Sequence, residues 1–238
     1  MNIQSSQKTL PPSPEGRSLD VAEPIHCGLQ QWKLPEGETE VGEGMAKRIF
    51  DISLALFGLG FFLPLGILIT LAILWEDGGP VFYTQQRIGR YGKTYRLWKF
   101  RSMIKDAEQA AGPVRAVEND SRVTRVGRMM RSTAMDELPQ LLNILKGDMS
   151  FVGPRSYREF FVNQFRQDVP HYDLCFLVRP GLTGMAQIYG KKDTTARQKW
   201  RFDMLYIRHR SFWLNIKLIL LSVGITLRGR WESREKKV

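Results

Sequence analysis

The chain has 238 residues, enough for one good-sized domain plus an appendage, and a formal net charge of +11. That excess points to an anionic partner: nucleic acid, anionic lipid or a phosphorylated substrate. Two cysteines, Cys27 and Cys175, and three scattered histidines (His26, His171, His209) argue against a disulfide framework and a structural zinc site, and fit a reducing, cytosol-facing environment.

Residues 1–44 are rich in Ser, Pro, Gly and Glu, show no apolar period, and read as a flexible polar tail without a secretory signal peptide. Residues 52–75 then run for 24 positions without a charge, long enough for a membrane helix. Basic residues flank both ends: Lys47 and Arg48 before, and Arg87, Arg90, Lys93, Arg96, Lys99 and Arg101 after. Positive charge favours the cytoplasmic side, so both ends are expected on one face. Pro64 lies mid-run beside Gly58, Gly60 and Gly66, where a proline removes a backbone hydrogen bond and bends the axis. A re-entrant helix-break-helix over residues 45–79, broken at Pro64, follows. The competing picture is a kinked single span. Asp51, at the interfacial end, is expected to pair with Arg48.

Residues 81–83 and 95–100 read as short strands around a turn at residues 89–93. The loop between, Gln85 to Arg90, suits either anion contact or a solvated basic turn. A short helix is expected over residues 103–111, a loop over 112–120, and a weak helix over 123–130. In Asp136-Glu137-Leu138-Pro139-Gln140 two adjacent acids precede an apolar helical face of Leu141, Leu142 and Leu145. Pro139 suits the first turn and Gly147 the stop. A helix N-terminus favours negative charge, whether a carboxylate that stays ionised or a phosphoryl group; a capped surface helix with solvated acids is the alternative.

Arg155 could clamp a pyrophosphate bidentately or pair with Asp148 or Glu159. Tyr157, Phe160, Phe161 and Phe165 stand at helical spacing, as core or membrane-surface packing. Arg179-Pro180-Gly181-Leu182-Thr183-Gly184 reads as a tight turn whose N–H groups are free to meet an anion. Residues 195–208 form a polar helix, and residues 212–227, apolar but interrupted, an interfacial or core helix. Trp200, Trp213 and Trp231 suit a membrane-interface belt or packing.

In order along the chain come Lys47-Arg48-Ile49-Phe50-Asp51, Gln86-Arg87-Ile88-Gly89, Lys99-Phe100-Arg101-Ser102-Met103, Asp136-Glu137-Leu138-Pro139-Gln140, Lys146-Gly147-Asp148-Met149-Ser150, Gly153-Pro154-Arg155 and Arg179-Pro180-Gly181-Leu182-Thr183-Gly184. Each is weak alone, but together, from about Lys47 to Leu227, the chain resembles the bacterial sugar transferases, the monotopic phosphoglycosyl transferases. The resemblance implies transfer of a phosphosugar from a UDP-sugar to polyprenol (undecaprenyl) phosphate with Mg2+ and release of UMP. It implies a re-entrant anchor at the cytoplasmic face of the bacterial inner membrane, and a role in starting exopolysaccharide, O-antigen or glycoprotein glycan assembly. Asp136 becomes the nucleophile, and Asp136 with Glu137 the magnesium ligands; Glu137 could instead handle a proton or cap the helix. Arg87, Lys99, Arg101, Arg131, Arg155 and Arg179 are the candidates for phosphate or substrate contacts. Two positions depart from the pattern. Leu63 stands where smaller members carry Ser before the proline, and Ser156 where many carry Pro after Gly-Pro-Arg. The larger members also have a four-helix membrane bundle upstream, where this chain has the polar tail.

The expected architecture is α+β and mostly helical: tail 1–44, membrane helix 45–79, catalytic domain 80–228 with a small β element and interfacial amphipathic helices, and basic tail 229–238. Partners are the UDP-sugar, polyprenol phosphate and an anionic bilayer, with other glycan-assembly enzymes or self-association as further possibilities. A nucleic-acid partner is not expected, because no reader helix or aromatic platform is present. An inactive scaffold of a glycan-assembly complex is the other alternative, and the intact acids and Arg155 speak against it.

Overall fold

The computed structural model describes residues 44–105, 107, 120–191, 194–229 and 231. The expected polar tail and nearly all of the basic tail lie outside these. So do most of the helix and loop expected over residues 103–120. Met103 itself is not helical but forms an antiparallel bridge with Val123.

The fold is mostly helical with two small sheets. Helix α1 (Met45–Asp77) leads into a hairpin of β1 (Phe82–Ile88) and β2 (Thr94–Phe100). Then come α2 (Arg125–Thr133), a 3-10 turn (Met135–Glu137), α3 (Gln140–Lys146), β3 (Ser150–Val152) and α4 (Glu159–Asp168). A longer 3-10 stretch (Tyr172–Leu177), β4 (Gly181–Thr183), α5 (Met185–Tyr189), α6 (Ala196–His209) and α7 (Phe212–Leu227) complete the chain. The hairpin expected around residues 89–93 forms, with Phe82 opposite Phe100 and Ile88 opposite Thr94. But β1 continues through Gln85–Ile88, which the sequence led one to expect as a loop, because each residue there finds a ladder partner on β2.

Among the described residues, α1 is the one helix long and apolar enough to cross a membrane. Only 11% of its most apolar window is buried, so it is not the core helix of a globular domain. It is one helix through Pro64, where the sequence led to a break: the proline removes a backbone donor without ending the helix. Both arms dock on the same domain. Ala55 and Leu59 pack with Tyr95, Leu97, Leu141 and Ile144. Ile69 and Ile73, with Leu65 beside them, pack with Phe100 and Met130. Between the arms, residues 60–64 are exposed, with Phe61 and Leu63 both more than 60% open.

Polar side chains lock the two ends of α1. Arg48 donates to the Ile144 and Leu145 carbonyls (2.6 and 2.8 Å), stopping the C-terminus of α3. Its expected partner Asp51 instead pairs with Lys47 at 3.3 Å and accepts from the Phe151 N–H, because i,i+4 spacing puts Lys47 over it while Arg48 faces α3. At the far end, Arg101 donates to the carbonyls of Asp77 and Gly78 and to that of Gly79.

The last third packs around Ile88, Val162, Phe165, Tyr172, Cys175 and Met204. Phe165 is core, Tyr157 and Phe161 pack against it, and Phe160 is half exposed. Thr195 and Gln198 form a capping box for α6, and Ser211 caps α7. Helix α7 keeps Leu218 and Ile225 inside and turns Trp213, Leu220, Val223 and Leu227 outward. Phe212 at its start meets Phe50 of α1 edge-on at 5.3 Å, so the outward face of α7 adjoins the apolar helix. Of the three interface tryptophans, Trp213 is 76% exposed, while Trp200 packs on the core and Trp231 donates to Thr226.

Candidate active site

The acid pair sits on a forced reversal. Ala134 takes the left-handed conformation (φ 55°) between α2 and the Met135–Glu137 turn. Pro139 then opens α3, and Gly147, at φ 97°, closes it, as the sequence pattern required. Asn143 fastens α3 to β2. Its Nδ2 donates to Arg96 O (2.8 Å), and its Oδ1 accepts from Trp98 N (3.1 Å). That fixed register carries Lys99, one residue further along β2, over the acids.

Lys99 Nζ lies 2.6 Å from Glu137 Oε1 and 3.6 Å from Asp136 Oδ2. Arg155 reaches the same Glu137 oxygen at 3.3 Å rather than Asp148 or Glu159. Arg155 arrives there because β3 and β4 pair in parallel, Ser150 with Gly181 and Val152 with Thr183, just before it. Gly153 and Gly181 permit that approach: a Cβ on either would collide with the other strand's backbone. Tyr95 and Ser156 close the side wall through a buried 2.8 Å hydroxyl pair, and Arg87 donates to Ser156 O at 3.4 Å. A small open cleft lies between Arg87, Lys99, Glu137, Gln140, Arg155 and Leu182.

The two acids are electrostatically unlike. Burial pushes Glu137 up, but Lys99 and Arg155 together outweigh it and hold its carboxyl at about 2. Asp136 is 8% exposed, and burial lifts its carboxyl above the ordinary value; Lys99, Arg131 and Arg155 oppose the lift, and the Glu137 charge adds to it. The Arg87 guanidinium is lowered to about 10 by burial and by the neighbouring Arg155 and Arg158 charges. Cations crowded until they repel one another form a site suited to anions.

Of the expected site residues, Asp136, Glu137, Lys99, Arg155 and Arg87 come together. Arg131 stands nearby, its Nε on Ser102 Oγ at 2.9 Å. Two do not join. Arg101, 7% exposed, is committed to the end of α1, and Arg179 donates its Nε to Gly147 O at 2.8 Å. The reading of residues 179–184 as a turn with free N–H groups is corrected. Gly181–Thr183 is a strand, and the Gly181 N–H donates to Pro154 O. Its parallel partner lies 31 positions upstream, beyond local pattern. Gln140, Asn143, Tyr95 and Ser156 belong to the site or its walls and escaped the sequence reading. Buried polar residues interrupting the apolar face of α3 were the available signal for the first two.

The site is thus an acid pair under basic side chains, in a domain that carries one long apolar helix. Over residues 42–229 the sequence matches the bacterial sugar transferase family, and the chain belongs to it. It is 39% identical over 186 residues to a UDP-N-acetylgalactosamine-undecaprenyl-phosphate N-acetylgalactosaminephosphotransferase of Aeromonas hydrophila, covering 77% of this chain and 44% of that protein. It is 43% identical over 184 residues to a UDP-glucose:undecaprenyl-phosphate glucose-1-phosphate transferase of Escherichia coli, covering 75% of this chain and 39% of that protein. With the exopolysaccharide production protein ExoY of Rhizobium meliloti the identity is 37% over 194 residues, covering 76% of this chain and 84% of ExoY. The chain thus spans about two-fifths of the first two relatives.

Proposed function

We propose that the protein transfers a phosphosugar from a UDP-sugar to polyprenol phosphate at the cytoplasmic face of a bacterial inner membrane, releasing UMP, as the first step of a surface-glycan assembly. The observation that carries this reading is the Lys99–Glu137–Arg155 ion cluster against the buried Asp136, at the edge of an apolar helix. Relatives named for UDP-sugars and undecaprenyl phosphate support the substrate class.

In this reading Asp136 is the nucleophile. Its carboxylate oxygen attacks the phosphorus that bears the sugar. The bond from that phosphorus to the UMP oxygen breaks, and UMP leaves with the electron pair. An oxygen of polyprenol phosphate then attacks the same phosphorus and expels Asp136 as a carboxylate. Burial leaves Asp136 poorly solvated and therefore reactive, while Lys99 and Arg131 keep its ionised form accessible. Arg155 and Arg87 line the approach and suit the pyrophosphate oxygens.

The donor set fits a magnesium ion: two adjacent carboxylates, one held ionised, supply the hard oxygens that Mg2+ prefers, and the ion usually draws its remaining ligands from water and substrate phosphates. Asp136 and Glu137 would hold it. When bound, it would supply charge neutralisation at the pyrophosphate.

The docking of both arms of α1 on one domain supports a re-entrant helix with residues 60–64 at its apex in the bilayer. A soluble donor and a lipid-anchored acceptor can then meet at the membrane surface. The test is UMP release from a panel of UDP-sugars with polyprenol phosphate and Mg2+. At least one sugar is expected to give acceptor-dependent turnover, lost in Asp136→Asn. No UMP with any sugar would sink the reading.

A further inference from the structure

Gln140 opens α3 three residues after Glu137 and four after Asp136. It is 3% exposed and lines the active-site cleft beside Lys99, Glu137 and Arg155. Among the described residues its carboxamide has no hydrogen-bond partner. Its amide atoms are not sealed in the core and so meet the cleft; Asn143 on the same short helix shows how a wholly enclosed amide is satisfied instead. There both ends of the amide are used, on Arg96 O and Trp98 N. One amide of α3 is therefore consumed in fastening the helix, and the other is turned, unspent, into the cleft.

We propose that Gln140 is a catalytic contact of the transferase: its Nε2 donates a hydrogen bond to a non-bridging oxygen of the phosphoryl group as that group passes onto Asp136. The inference rests on the proposed reaction and adds a residue to it. The cations nearest the acids are already engaged, Lys99 with both carboxylates and Arg155 with Glu137. Gln140 is a preformed donor that needs no ion pair broken. Its depth decides the ligand. The substrate atom that must approach Asp136 to bonding distance is the phosphorus, so its two non-bridging oxygens enter the space Gln140 lines. A phosphoryl oxygen accepts and does not donate, which selects the Nε2 end of the amide. As the Asp136–phosphorus bond forms and the bond to UMP breaks, charge spreads over those oxygens; the donated hydrogen bond strengthens there, and no proton is transferred. Donors aimed at developing charge act mainly on the rate of the chemical step.

The test uses the full chain in lipid nanodiscs with a UDP-sugar that the wild type turns over. Wild type, Gln140→Leu and Gln140→Glu are compared in UMP release without acceptor, in steady-state kcat and KM, and in melting temperature. Gln140→Leu is expected to lower kcat by about 100-fold or more. Its KM for the UDP-sugar should stay within about threefold, the pattern of an interaction made mainly in the transition state. Its melting temperature should hardly change, since the amide has no protein hydrogen bond to lose and faces the cleft. Gln140→Glu keeps the shape but, once ionised, can only accept; its activity relative to wild type is expected to rise as pH falls and the carboxyl regains a donor. Overturning results are a Gln140→Leu kcat close to wild type, or a loss in both variants that tracks melting temperature without recovery at low pH, which assigns Gln140 to packing. A wild type that releases no UMP from any UDP-sugar removes the reaction itself and is distinguishable from either.

Discussion

Lys99 Nζ stands 2.6 Å from Glu137 Oε1 and, at 3.6 Å, is shared with Asp136. One ammonium thus serves two carboxylates and divides their roles: Glu137 is held ionised at about 2, and Asp136 stays above its ordinary value because burial wins there. Lys99→Met removes the largest opposing charge from Asp136. A nucleophilic carboxylate works above its pKa and fails as pH falls through it. The acid limb of kcat is therefore expected to move to higher pH in Lys99→Met. A pH–rate profile with an unmoved acid limb would separate Lys99 from the nucleophile.

The same division gives opposite stability effects. Glu137 has a folded pKa of about 2 against an ordinary 4.5, so its stabilisation is present above pH 4.5 and is lost as pH falls from 4.5 through about 2. Asp136 is raised, so its ionisation costs stability once pH exceeds its unfolded value. At neutral pH Glu137→Gln is expected to lower Tm and Asp136→Asn to raise it while removing activity. Thermal melts across pH 3 to 7 check both signs; equal shifts in the two variants would contradict the division.

Arg101 is a substrate-contact candidate whose guanidinium the fold engages elsewhere. It is buried at the end of α1, donating to the Asp77, Gly78 and Gly79 carbonyls and paired with Asp77 at 3.1 Å. Each charge-assisted bond of this kind contributes about 1.5–3 kcal/mol. Arg101→Met is expected to lower stability by about 3 kcal/mol, less than the sum because the carbonyls regain water. KM for the UDP-sugar should hardly change. A selective rise in KM with unchanged melting would return Arg101 to the substrate.

Topology has its own test. Single cysteines replacing Gly44 and Gly79 are expected to label from the same side of sealed inverted vesicles, while a probe at Leu63 is expected to be quenched by lipid-borne quenchers. Labelling of the two glycine positions from opposite sides would establish a span instead.

Much of this was legible because local patterns and local physics agreed. The charge-free run, the strand pair around residues 89–93, and the Pro139 and Gly147 brackets of α3 each follow from neighbours in sequence. The acids were legible too, since two carboxylates before a helix are a local feature. What did not show was set by long-range contact. The three-residue strands β3 and β4 carry no period, and their pairing alone turns residues 181–183 into a strand and delivers Arg155 to Glu137. Arg101 and Arg179 looked like anion contacts because basic residues look alike in sequence. Their carbonyl partners sit 22 to 32 positions away. Gln140 stood inside the quoted motif, but only the fold shows that its amide lines the cleft without a protein partner.

The proposed mechanism requires Asp136 to carry the phosphosugar covalently. The direct measurement is quantitative UMP release from enzyme and UDP-sugar with no acceptor present, with intact-mass and peptide analysis of the protein. A burst approaching one UMP per chain and a phosphosugar mass on the peptide bearing Asp136 are expected, both absent in Asp136→Asn. UMP that appears only after polyprenol phosphate is added, with no adduct at any stage, or an Asp136→Asn enzyme that still turns over, would contradict it.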